Sequence, residues 1–167
     1  MIRLANLRYC KVTEVVPGNL VLFAHEATGK WMPCLVVADQ GAEEPNSLLG
    51  LHFEDGNQVL PPFLLEGVAG QYCLILGKAE FEVPDNLENL SLPVDHGRIA
   101  LGATGPAIIG QRAGRERNSL PEQCCWLIAT GERAQIDPKA PCAGTWEAGV
   151  IGTEGRFERL LTHQSII

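Results

Sequence analysis

Hydrophobic residues in this chain come in short runs, NLVLFA at 19–24, CLVVA at 34–38, CLILG at 73–77 and PAIIG at 106–110, each ended by glycine or a polar pair. Runs of this length, rich in Val, Ile, Leu and Phe, carry no helical period and suit strands buried on one or both faces. Turns must be frequent in such a chain. The 18 glycines and 11 prolines supply them, since glycine gives the positive φ and proline the fixed φ that tight turns need. The pattern predicts a mostly β protein of about a dozen short antiparallel strands, in barrel or sandwich form.

Helix signals are confined to two places. Asp85 with Glu88 three residues on, and Ser119 with Glu122 and an early Pro121, each have the spacing of a helix start. One or two short helical turns are predicted there. The opening MIRLANLRYCKV alternates apolar and polar residues with Arg3, Arg8 and Lys11 among them, which reads as a strand of a cytosolic protein and not as a secretory leader.

At 167 residues the chain fits one compact domain, 1–167. CLVVAD at 34–39 and CWLIAT at 125–130 resemble each other, and each precedes an acidic-glycine hairpin pattern. That suggests a weak duplication of residues 1–83 and 84–167, although the intervals within the two halves differ. No apolar run reaches the roughly 18 residues that span a bilayer, so no membrane association is expected. The formal charge of −7 argues against a general affinity for nucleic acid. It is uneven, with 5 basic and 10 acidic residues in 1–83 and 8 and 10 in 84–167.

The densest polar cluster is LHFEDGNQVL at 51–60. Strand alternation sends Leu49, Leu51 and Phe53 to the core and His52 and Glu54 to the other face. A three-residue loop at Glu54, Asp55 and Gly56 would pair Phe53 with Asn57, His52 with Gln58 and Leu51 with Val59. Hairpin chemistry thus accounts for every residue. The catalytic alternative takes His52 and Glu54, with His96 from the Asp95-His96-Gly97 triplet, as a metal-assisted hydrolytic site. His25 heads HEATG, which lacks the second histidine of the zinc-protease pattern at Gly29.

Six cysteines, Cys10, Cys34, Cys73, Cys124, Cys125 and Cys142, have no CxxC spacing and read as free thiols. On a strand, Cys124 and Cys125 face opposite ways, so one of them is a candidate reactive thiol. Arg112, Arg115 and Arg117 lie within six residues beside glycines and form a candidate anion-binding loop. No nucleotide or serine-hydrolase motif is present. The reading that follows is a small cytosolic binding or assembly module without catalytic activity or cofactor, pairing with a protein partner or with its own copy. The hydrolase and the anion-binding protein are the alternatives.

Overall fold

The computed structural model describes residues 7–24, 29–38, 46–55, 58–89, 96–113 and 120–164, with the backbone alone for 53–55, 58–60 and 89. The first half contains β1 (Arg8–Lys11), β2 (Asn19–Ala24), β3 (Trp31–Ala38), β4 (Asn46–Gly50), β5 (Phe53–Asp55), β6 (Gln58–Leu60), β7 (Phe63–Leu65), β8 (Tyr72–Lys78) and β9 (Glu80–Glu82). The second half contains β10 (Glu88–Asn89), β11 (Ile99–Gly102), β12 (Gly105–Arg112), β13 (Glu122–Leu127), β14 (Pro141–Ala143), β15 (Thr145–Ile151) and β16 (Phe157–Gln164). The protein is mostly β, as its sequence rhythm predicts.

An 11-stranded sheet runs β1-β8-β2-β3-β4-β7-β12-β11-β14-β10, with β13 on the other edge of β12. All its pairings are antiparallel except the short parallel contact of β7 with β12 at Phe63 and Gln111. A second sheet has the order β16-β15-β9. Chain runs interrupted at Ala79, between β8 and β9, and at Gly144, between β14 and β15, pass from one sheet to the other. The two sheets are therefore laced together at two corners. The result is sandwich-like, and of the two predicted forms the closed barrel is not adopted. β1 and β7 close no ring, because β7 hands the sheet on to β12.

Leu20, Leu35, Leu49 and Leu64 are cross-strand partners in a row across β2, β3, β4 and β7. They pack in one cluster against Ile99, Ile108, Trp126 and Trp146 of the second half. The alternating residues Val21, Cys34, Val36 and Leu48 point the other way, into a second cluster with Cys10, Val12, Val15 and Cys73. Burial on both faces explains why these strands read as unbroken apolar runs and not as polar–apolar alternation. Asn46 locks the N-terminal segment over the second cluster, its amide donating to Val12 O at 3.2 Å and Val15 O at 2.8 Å.

Two local expectations are corrected. The one helical turn among the described residues is a 3-10 turn at Val12–Glu14, away from both predicted starts. Glu88 instead pairs in β10 with Cys142, and its carboxylate goes to Arg98 rather than back to a helix start. Glu122 opens β13, while Ser119 lies outside the described residues. The hairpin after Leu51 also has a different register. Its partners are Phe53 with Leu60, Glu54 with Val59 and Asp55 with Gln58, which leaves residues 56 and 57 between the strands. Leu51 is still held by β3, donating to Pro33 O at 3.0 Å, so pairing within the hairpin begins only beyond it. Gly56 itself lies outside the described residues.

Candidate functional site: an aromatic sheet face

The face of the large sheet that carries the leucine row extends past the cover of the second half. One row on, Tyr9, Leu74, Leu22, Pro33 and Leu51 are consecutive cross-strand partners. Leu51 is buried, Pro33, Leu22 and Leu74 are half-buried, and Tyr9 is 63% exposed. The row emerges from the core toward β1. The next row holds Lys11 with Tyr72, and Ala24 with Trp31. Tyr72 is 48% exposed and Trp31 50%, and Tyr9 stacks on Tyr72 with ring centroids 5.1 Å apart and planes at 17°.

Paired residues share a face, so Tyr9, Leu74, Leu22, Pro33, Tyr72, Ala24 and Trp31 form one contiguous aromatic and aliphatic surface on β1, β8, β2 and β3. Exposed large apolar side chains scattered singly need no explanation, but a contiguous patch does. One basic residue lies on it, Lys11, in the same row as Tyr72 and exposed. Arg8 alternates with Tyr9 and pairs with Ile75, so it points to the opposite face. Lys30 directly precedes Trp31 and is exposed. Among the described residues nothing pairs with the outer edge of β1, where the Lys11 amide is occupied by the Glu14 carboxylate at 3.1 Å.

The described histidines occupy a separate seam. His163 on β16 is 4% exposed and faces its cross-strand partner Trp146, the two rings stacked at 4.7 Å and 17°. The Trp146 indole donates to Gly97 O at 2.5 Å. Among the described residues neither ring nitrogen of His163 has a hydrogen-bond partner. Burial holds its pKa down to about 4, and nearby His52 adds to the effect. A Cβ on Gly97 would lie 2.5 Å from His163 Nε2, so the ring edge packs closely against the glycine. His52 and His96 are both half-buried, and His96 directly precedes that glycine. Among the described residues no three His, Cys, Asp or Glu side chains are placed to hold a metal ion. The Glu54 side chain, Asp95 and His25 lie outside that description.

Of the remaining sequence candidates, Arg112, Cys124 and Cys125 lie among the described residues. Arg112 ends β12 with its Nε on Glu66 at 2.6 Å, while Arg115 and Arg117 lie outside the described residues. Cys124 is buried in the inter-sheet core, with the Arg133 guanidinium 3.0 Å from its sulfur. Cys125 is half-buried on the opposite face. Burial raises its pKa to about 11, the Cys124 thiol adds to the rise, and Arg133 opposes it. An apolar cleft of about 220 Å³ opens between the sheets beneath Phe81, Val83, Ile99, Leu101 and Ile128.

Reading along the sequence misses the aromatic face because its members come from four strands that are far apart in the chain. The available signal is that Tyr9, Trp31 and Tyr72 each stand at or near a strand end. His163 is also missed, although its alternation with Leu161 in β16 marks the core-facing side. Comparison of the chain with family models, curated proteins and solved structures gives no match.

Proposed function

We propose that the protein is a non-catalytic binding module whose face of Tyr9, Leu22, Leu74, Tyr72, Pro33 and Trp31 receives an apolar, acidic segment of a partner protein. The observation that carries this reading is the contiguity of three exposed aromatic rings with half-buried aliphatics on a rigid sheet. Tyr and Trp give large contact area at low conformational cost and recur at interface centres. Lys11, in the same row as Tyr72, favours an acidic partner, since opposite charge steers association and selects among partners. The same charge disfavours a second copy seated face to face, which would set like charges together. Aromatics with lysines can also stack bases, but the net charge of −7 repels a polyphosphate chain, and Leu22, Leu74 and Pro33 offer nothing to a sugar or phosphate.

A displayed random-peptide library, selected on the purified chain and counter-selected on a Tyr9→Ser/Trp31→Ser variant, tests the reading. Both residues are exposed, so the variant keeps its fold. Enrichment of peptides with aromatic or branched residues among Asp and Glu, with at least about tenfold weaker binding to the variant, is expected, each lost central aromatic contact costing about 1–2 kcal/mol. Peptides that bind both proteins equally, no enrichment, selective binding of an oligonucleotide, or a dimer broken by the two substitutions would each overturn it.

A further inference from the structure

Arg98 is the one buried cationic side chain among the described residues. It sits just ahead of β11, with its side chain 7% exposed, and its Nη1 lies 2.5 Å from Glu88 Oε2 and 3.6 Å from Cys142 Sγ. A guanidinium withdrawn from water needs a paired charge, and an apolar residue of the same volume would often serve stability as well. Above it opens a pocket of about 110 Å³ lined by Pro84, Asn86, Glu88, Gly144, Thr145 and Gln164. That is room for about four waters or one small molecule of that size. Two amides and a hydroxyl stand around the rim. The Glu88 side chain is 55% exposed, and its strand β10 is two residues long, so the carboxylate can leave the guanidinium for solvent without uncovering the core.

We propose that this pocket binds a small carboxylate, which pairs with Arg98 in place of Glu88 and is held through its remaining polar groups by Asn86, Thr145 and Gln164. Guanidinium binds carboxylate through parallel hydrogen bonds that a single point charge does not reproduce, and Glu88 already shows the acceptor chemistry the position takes. Glu88 is then an internal competitor. A site filled most of the time by its own carboxylate shows an affinity reduced by the fraction of time it is open.

Glycolate is the probe, with chloride and inorganic phosphate at matched ionic strength as controls, and binding is read from the melting temperature and from isothermal titration. Glycolate is expected to raise the melting temperature of the wild-type chain saturably. It should bind Glu88→Gln about tenfold more tightly, the gain from removing a competitor present about nine-tenths of the time. It should lose its effect on a Thr145→Val/Gln164→Leu variant, whose exposed substitutions leave Arg98 in place. Three results would overturn the proposal. One is a Glu88→Gln protein that is merely less stable and gains nothing from glycolate beyond chloride. Another is a phosphate shift equal to that of glycolate, and the third is full glycolate binding by the Thr145/Gln164 variant.

Discussion

His163 shows how one side chain couples the fold to pH. The ring is neutral in the folded protein because charging it beneath Trp146 would cost its hydration, and its pKa falls from 6.5 to about 4. The unfolded chain therefore binds more protons between those values, and stability drops as pH is lowered through that window. Above pH 6.5 the residue contributes no pH dependence. The loss on reaching the lower end is on the order of 3 kcal/mol. Urea denaturation at neutral pH and at the acid end of the window should show this loss in wild type and a much smaller one in His163→Phe. That variant keeps the stack on Trp146 and removes two unsatisfied nitrogens, so it should be as stable as wild type or more so at neutral pH. Gly97 sets the other side of the same contact. It has φ +83°, and a Cβ there would meet His163 Nε2, whereas Gly155, at φ +72°, has nothing within 4 Å. Gly97→Ala should thus lower stability by more than Gly155→Ala, whose cost is the backbone term of about 1 kcal/mol.

Among the elements, β1, β3 and β8 carry three thiols into one interior. Cys10 and Cys73 are cross-strand partners. Burial pushes the Cys73 thiol up to about 12, with Cys10 adding to the rise, and burial drives Cys34 well above the ordinary range. Thiols so protonated are poor nucleophiles. A thiol reagent at mildly alkaline pH is expected to leave Cys34 and Cys73 untouched in the native protein and to reach Cys125 first, with mass spectrometry of peptides giving the order. Early modification of Cys34 or Cys73 would show that β1 opens readily. The strands themselves are legible in the sequence wherever both faces are buried, as in β3 and β4, because the apolar runs leave no other period. Register is less so. The hairpin at β5 and β6 slips from its expected pairing because Leu51 is claimed by β3, a strand that local turn rules do not see. The helix start at Asp85 fails for the same reason, its Glu88 drawn to Arg98 by tertiary pairing.

At the scale of the molecule, the two halves share one core. Leu49 of β4 and Ile108 of β12 lie in the same cluster and are both fully buried, so Leu49→Ala should cost about 2–5 kcal/mol and weaken both halves together. A single denaturant transition, coincident by far-ultraviolet dichroism and tryptophan fluorescence, is expected in wild type and variant; separate transitions would mean that the halves fold apart. That core covers the leucine row but stops short of Tyr9, Tyr72 and Trp31. Composition alone could not reveal this, because an exposed tryptophan and a buried one read alike in a sequence. The exposed face is built from residues that looked like ordinary strand formers. The most direct test of the binding-face claim is an amide chemical-shift map recorded while a library-selected peptide is titrated into the labelled chain. The account requires the largest shifts at Tyr9, Tyr72, Ala24 and Trp31, fading across β3; shifts centred on the cleft beneath Phe81 or on the pocket over Arg98, with those four residues unmoved, would contradict it.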